Sequence, residues 1–101
     1  MLKPLNPLFM SELRLSIMSI LMNVEEADFL YIKEVTGATS GNISVQIDNL
    51  SKAGYIEVEK GFSGKRTRTT CRSTEEGREA FRQHYEALKS YFISDDDNQG
   101  T

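Results

Sequence analysis

Apolar residues recur at helical spacing over the first quarter of the chain. Asn6 followed by Pro7 is typical of a helix start, because an Asn side chain caps free backbone amides and proline fits the first helical position. The apolar stripe that follows consists of Leu13, Ile17, Ile20, Leu21 and Val24. This spacing predicts a central helix that runs from about residue 6 to Val24. A cap at Ser11 would instead divide the segment into an apolar lead-in and a separate helix.

Residues 28–37 predict a second, shorter helix. Ile32 and Val35 are spaced as on one helical face, and Gly37 stands where a C-terminal glycine cap is expected. Residues 29–31 also fit a short extended segment, so the pattern leaves both conformations open for the start of this region.

A third helix, predicted at about residues 39–53, combines an ordinary apolar stripe with an unusual polar face. Ile43, Ile47 and Leu50 form the stripe, and Gly54 follows where the helix should end. The other face carries small or amide side chains in place of the Lys and Glu of an ordinary solvent face. Its residues are Ser40, Asn42, Ser44, Val45, Gln46 and Asn49.

The period changes from helical to alternating after the third helix. Ile56 and Val58 alternate with glutamates, residues 62–66 have the composition of a turn, and residues 67–72 are again typical of a strand. The pattern therefore predicts a β-hairpin, with a projecting wing at about residues 60–68.

The last predicted helix begins at a Ser73 or Thr74 cap and runs to about Phe92. Two apolar stripes lie one residue apart on it: Phe81, Tyr85, Leu88 and Phe92, and Ala80, His84, Ala87 and Tyr91. Either both are buried in one chain, or one closes the core while the other meets a second copy. We expect the second arrangement, a homodimer. The candidate interface residues are Leu5, Leu8, Phe9, Ala80, Ala87 and Tyr91.

The order of these elements is helix, helix, helix, hairpin, helix, with a very short connection between the second and third helices. This is a mainly α chain with a β-hairpin wing, and it resembles the small winged helix-turn-helix transcriptional regulators related to the MarR and ArsR families. The segments that carry the resemblance are residues 5–8 (LNPL), 14–21 (RLSIMSIL), 27–35 (ADFLYIKEV), 40–44 (SGNIS), 50–56 (LSKAGYI), 64–70 (GKRTRTT) and 74–81 (TEEGREAF). The resemblance implies a dimeric DNA-binding repressor or activator that often senses a signal.

The polar face of the third helix fits contact with duplex DNA independently of the resemblance. A helix in the major groove needs slim outward side chains, and amides such as those of Asn42 and Gln46 match adenine N6 and N7, while Val45 suits a thymine methyl. The candidate DNA-binding residues of this helix are Thr39, Ser40, Asn42, Ser44, Val45, Gln46 and Asn49. The alternative is a polar helix face that is simply exposed to water.

The hairpin carries the densest positive charge in the chain. Residues 65–72 contain four basic side chains and no acidic one, although the whole chain has a net charge of −3. Lys65, Arg66 and Arg68 are therefore candidates for contacts with the phosphate backbone or the minor groove. For Arg72, contact with DNA and pairing within the hairpin are equally open. Arg68 and Arg72 could pair with Glu57 and Glu59 across the hairpin.

Asp48 departs from the family pattern, which usually has basic residues in the second half of the recognition helix. A carboxylate near phosphates weakens non-specific affinity. This and the acidic balance keep a second hypothesis open, a winged-helix module that binds protein partners and not DNA.

The bulk composition supports one domain at residues 1–93, followed by an acidic tail at residues 94–101 that we expect to be disordered. The chain shows no signal peptide, membrane span, phosphate loop, zinc motif or marked catalytic set, so we expect a cytoplasmic protein that is not an enzyme and needs no cofactor or metal. The single cysteine, Cys71, fits a reducing compartment. A small apolar effector is possible, in a pocket at the dimer seam lined by Phe9, Tyr85 and Tyr91.

Overall fold

The computed structural model describes residues 1–92, and the predicted tail at 94–101 lies outside them. The helices are α1 (Glu12–Met22), α2 (Phe29–Thr36), α3 (Ser40–Lys52) and α4 (Glu75–Lys89). The strands are β1 (Ala27–Asp28), β2 (Ile56–Ser63) and β3 (Arg66–Ser73), and short 3₁₀ turns cover Pro7–Met10 and Ser90–Phe92. The predicted fold class, a helix-turn-helix followed by a hairpin wing, is confirmed.

The N-terminal segment is divided at Ser11, as the alternative reading of the sequence had it. Asn6 accepts a hydrogen bond from the backbone amide of Leu8 and starts the 3₁₀ turn, while Ser11 accepts from the amide of Arg14 and starts α1. The expectation of one helix reaching Val24 is wrong at both ends, because α1 stops at Met22 and Val24 is exposed.

Residues 27–28 form a third strand that the sequence pattern did not predict. Ala27 pairs with Cys71 and Asp28 with Thr70, which gives the antiparallel sheet order β1-β3-β2. Residues 29–31 are helical and not extended, since the Asp28 side chain accepts from the amide of Tyr31 and caps α2. Gly37 ends α2 at a φ of 70°, as predicted from its position.

The hairpin is longer and its turn tighter than the sequence suggested. Residues 56–63 of β2 pair with residues 66–73 of β3, and only Gly64 and Lys65 make the turn. Gly64 has a φ of 66°, the positive value that a two-residue hairpin turn needs at its first position. Arg66 therefore belongs to β3 and not to the turn.

The core lies between α1, α2, α3 and the sheet, and α4 covers one side of it. Its fully buried members are Phe9, Ile17, Met18, Leu21, Ile32, Ile43, Leu50 and Cys71. Phe9 joins the N-terminal turn to the rest, with ring centroids 5.5 Å from Tyr55, 5.5 Å from Phe81 and 5.4 Å from His84. The α-helical part of α4 ends at Lys89, three residues before the predicted end, and the 3₁₀ turn continues to Phe92.

Candidate nucleic-acid interface

α3 is placed so that its polar face points outward. Thr39 caps it by accepting from the amide of Asn42, and Ile43, Ile47 and Leu50 anchor the opposite face in the core. Most of the predicted face is exposed: Thr39, Ser40, Asn42, Ser44 and Val45. The exposed stretch also includes Gly41, which has open space where a Cβ would stand. The first two turns of α3 therefore present a slim surface.

Gln46 and Asn49 are half-buried and take part in a hydrogen-bond network at the middle of α3. Oε1 of Gln46 accepts from Nη1 of Arg14 at 2.6 Å and from Nδ2 of Asn49 at 3.4 Å. Nε2 of Gln46 donates to Oδ1 of Asn42 at 3.1 Å. Arg14 was not among the predicted site residues, and the structure brings it to the edge of the candidate interface.

Two arginines of the wing have acidic partners. Arg72 bonds Glu26 at 3.1 Å and Glu59 at 3.2 Å, and these hydrogen bonds raise the pKa of Arg72. Arg68 lies 3.6 Å from the carboxylate of Asp28. Pairing of Arg72 with Glu59 was one of the two readings of the sequence, whereas Glu26 was not foreseen and neither arginine bonds Glu57.

Lys65 and Arg66 are exposed at the tip of the wing, and within residues 1–92 neither forms an ion pair. They are therefore the cations of the tip with the most freedom to meet an external anion.

The strand register separates the wing into two faces. Lys60, Phe62, Thr67 and Thr69 share one face, and Arg66, Arg68 and Arg72 share the other, because alternate residues point to opposite sides. The first face borders a groove of about 500 Å³ whose far wall is Ser44 and Asp48 of α3, with Lys60 and Thr69 on the wing side. α3 and the wing thus flank one concave surface. Lys60 belongs to it, although the sequence reasoning did not select that residue.

Asp48, the residue that opposed DNA binding in the sequence, has a partner. Its carboxylate lies 2.9 Å from Nζ of Lys52, one turn further along α3, and both side chains are largely exposed. The pair reduces the net charge that this end of α3 presents, although an exposed pair of this kind is weak.

The predicted dimer-interface residues fall into two groups. Phe9 is 2 % exposed and Ala87 is 1 % exposed, so both side chains are used inside the chain and offer no surface to a partner in this conformation. Leu5, Leu8 and Ala80 are half-buried, and Tyr91 is 47 % exposed. The stripe that closes the core is thus the one containing His84 and Ala87.

The other stripe of α4 leaves apolar surface in contact with solvent. Tyr85 and Phe92 are exposed. Tyr85 also borders a groove of about 570 Å³ between α1, the end of α2 and α4, whose apolar lining residues are Leu15, Ile20, Val35, Phe81, Tyr85 and Leu88. This groove shares only Tyr85 with the effector pocket expected from the sequence.

Cys71 and His84, the remaining candidate reactive groups, are buried in the interior. Burial raises the pKa of the Cys71 thiol to about 11, and burial lowers the pKa of His84, whose Nδ1 accepts from the backbone amide of Asn6. Over residues 1–92, no cluster of His, Cys, Asp or Glu has the arrangement of a metal site. None of the helices in that range has the length and apolarity needed to cross a membrane.

Comparison with known proteins places this geometry in a family. Residues 13–92 match the family model described as a winged helix DNA-binding domain. An uncharacterised protein of Methanocaldococcus jannaschii is 32% identical over 83 residues, which cover 81% of this chain and 90% of that protein.

Solved structures with the same fold include a regulator homologue. A transcriptional regulator homologue from Pyrococcus horikoshii OT3 superposes with a TM-score of 0.78 at 28% identity, over 85% of each chain. NadR, solved in complex with 4-hydroxyphenylacetate, gives 0.68 at 15% identity, over 92% of this chain and 68% of NadR, a likeness of fold alone. The resemblance to MarR-like regulators expected from the sequence is confirmed, and the chain belongs to the winged helix DNA-binding domain family.

Proposed function

We propose that this DNA-binding domain is a sequence-specific transcriptional regulator that reads the major groove with α3 and holds the adjacent backbone or minor groove with its wing. One observation carries the proposal: Ser44, on the slim exposed face of α3, borders the same concave surface as Lys60 and Thr69 of the wing. A major groove about 12 Å wide admits a helix whose outward side chains are small, and Ser40, Gly41 and Ser44 satisfy that requirement. Asn42 and Val45 are the exposed side chains long enough to reach base edges from there.

The wing supplies the sequence-independent part of the affinity. Each phosphate neutralised by a cation releases a counterion, so that the logarithm of the binding constant falls with the logarithm of salt concentration by about 0.9 per phosphate. Lys65 and Arg66 have no internal carboxylate partner within residues 1–92, and Lys60 stands on the groove side of β2. Lys60 on the groove side and Lys65 and Arg66 at the tip together offset the acidic balance of the chain on the wing.

A pair of arginine variants on the same strand tests this assignment. Arg66→Ala should reduce the salt slope by about one per bound protomer, whereas Arg72→Ala should leave it nearly unchanged, because Glu26 and Glu59 already hold Arg72. Fluorescence anisotropy titrations of a labelled duplex at several salt concentrations give both slopes. Equal slopes for the two variants would contradict the wing assignment, and absence of salt-sensitive binding by the parent would favour the protein-interaction hypothesis.

We further propose that two copies associate through the exposed apolar stripe of α4. Tyr85 and Phe92 of that stripe are 56% and 68% exposed, and the neighbouring Tyr91 of the other stripe is 47% exposed. A second copy would cover this aromatic surface. A two-fold dimer would place its two α3 helices one turn of DNA apart, roughly 34 Å, and would favour a near-palindromic site. Sedimentation velocity tests this: Tyr85→Ser should shift the parent's dimer toward monomer. A parent that sediments as a monomer at high concentration would remove the proposal.

An effector site fits the same region. The groove beside Tyr85 has the volume and apolar lining of small-molecule sites, and NadR, which has the same fold, was solved with 4-hydroxyphenylacetate bound. We propose that a small apolar or aromatic molecule bound there adjusts DNA affinity. We also propose that the protein works in the cytoplasm. Isothermal titration with a panel of aromatic acids tests the pocket, and Leu88→Arg should abolish any binding found.

A further inference from the structure

Arg14 links the N-terminal turn, the start of α1 and the middle of α3. Its Nε donates to the backbone carbonyl of Leu8 at 2.6 Å, and its Nη1 donates to Oε1 of Gln46 at 2.6 Å. The residue is half-buried at the start of α1, under the middle of α3. The guanidinium plane is therefore held at one end by the N-terminal turn, and its other end is directed at a side chain of the candidate interface.

The chemistry of arginine fixes which way the neighbouring amides are turned. A guanidinium can only donate, so the Gln46 atom that faces it must be the carbonyl oxygen. The Gln46 nitrogen is then on the other side of the amide, where it donates to Oδ1 of Asn42 at 3.1 Å. This hydrogen bond in turn directs the Asn42 oxygen along the helix toward Gln46. The Asn42 side chain is exposed, and within residues 1–92 its nitrogen has no acceptor.

The outward edge of α3 therefore presents hydrogen-bond donors. The amide oxygens of Asn42 and Gln46 are both engaged, and the oxygen of Gln46 accepts a second bond from Asn49 at 3.4 Å. In the major groove adenine presents one acceptor, N7, and one donor, N6, so a side-chain amide must donate one hydrogen bond and accept another. Guanine presents two acceptors, N7 and O6, and needs only donors. A pre-set donor edge matches guanine without rearrangement. Adenine would require the Asn42 amide to turn and give up its bond to Gln46.

We propose that Arg14 is a positioning residue for sequence readout: through Gln46 it orients Asn42 as a donor, so that the base facing Asn42 in the preferred site is guanine. The inference rests on the proposed function, because it needs α3 in the major groove. It differs from the adenine contact expected from residue types alone, since that expectation takes no account of Arg14.

Two substitutions break the network at different links. Arg14→Met removes the donor and leaves the Gln46 amide free to turn. Gln46→Glu keeps a partner for Arg14 but cannot donate, so the Asn42 nitrogen should turn toward Glu at position 46 and its oxygen outward. The matched control is Arg82→Met on α4, an exposed arginine that pairs with Glu79. The facing base pair is identified first, as the position whose preference Asn42→Ala removes.

The measured quantity is the ratio of dissociation constants for two duplexes that carry adenine or guanine at that position. Because both duplexes are titrated at the same salt concentration, a uniform loss of phosphate affinity cancels in the ratio. The parent and Arg82→Met should favour guanine by about tenfold, the size of a good side-chain contact to a base edge. Arg14→Met should lose most of that ratio, and Gln46→Glu should move it toward adenine.

The outcomes separate this inference from the function on which it rests. A parent that prefers adenine, or an Arg14→Met variant that keeps the parent's ratio, would overturn the role of Arg14 while leaving DNA binding intact. A parent that binds no duplex would remove the proposed function itself. If Arg14→Met does not fold, the Gln46→Glu variant alone decides, because it preserves the bond to Arg14.

Discussion

The packing of α4 depends on a glycine, and Gly77→Ala is the substitution that tests it. Gly77 is buried in the first turn of α4, and a Cβ placed there would stand 2.1 Å from the backbone carbonyl oxygen of Tyr55. Thr74 holds the same junction closed, since its amide donates to Tyr55 O at 3.0 Å and its hydroxyl donates to Gly54 O at 2.7 Å. The methyl group therefore has no room unless the start of α4 moves away from Tyr55 by about 1 Å.

Two effects of opposite sign decide the magnitude. Replacing a helical glycine by alanine normally stabilises a protein by about 0.4–1 kcal/mol, because the unfolded chain loses freedom. Overpacking a buried contact costs about 1–3 kcal/mol, and here the neighbour is rigid backbone. We expect a net loss of about 1–2 kcal/mol, which for a domain of this size lowers the melting temperature by roughly 5–15 °C.

Gly41→Ala is the matched control, because Gly41 also lies in the first turn of a helix but has open space around its missing Cβ. Urea unfolding followed by circular dichroism should show Gly41→Ala as stable as the parent or up to about 1 kcal/mol more stable. Gly77→Ala with the parent's midpoint would refute the close approach of α4 to Tyr55. The same control variant should weaken DNA binding, since its added methyl lies on the slim face of α3.

Two further predictions concern buried titratable groups. Because burial lowers the pKa of His84 below its ordinary value of 6.5, neutral His84 contributes fully to stability above pH 6.5, and this contribution is lost as the pH falls below that value. The free energy of unfolding of the parent, measured by urea titration, should therefore fall more steeply between pH 7 and pH 5 than that of His84→Gln, by up to about 1.4 kcal/mol per pH unit. Parallel pH profiles of the two proteins would contradict this. Since the pKa of Cys71 is raised to about 11 and the side chain is fully buried, a disulfide reagent at pH 8 should label it only after urea unfolds the protein; rapid labelling in native buffer would show an open core.

Elements long enough to repeat a periodic pattern were predictable from the sequence, and very short elements were not. Ile43, Ile47 and Leu50 repeat at helical spacing, so the placement of α3 and its outward face followed from the pattern. β1 has only two residues and shows no period of its own; it exists because Ala27 pairs with Cys71 on a strand far along the chain.

The candidate site shows the same division. The exposed residues at the start of α3 were found because helix periodicity assigns a face to every position. Arg14 was missed because its two partners lie six and 32 residues away, and one arginine early in a helix is indistinguishable in sequence from a solvated one. The partners of Arg72 depend on the hairpin register and on Glu26, which precedes β1. Tertiary hydrogen bonds of this kind have no local signature.

The measurement that tests the central claim most directly is selection of bound duplexes from a random pool at two salt concentrations. A slim helix face in the major groove, with a cationic wing beside it, predicts enrichment of a defined site at both salt concentrations, with weaker overall binding at the higher one. Two such faces on a dimer predict that the enriched site is an inverted repeat with centres about 10 bp apart. Recovery of random sequences at both salt concentrations would contradict the reading of α3 as a base-contacting helix.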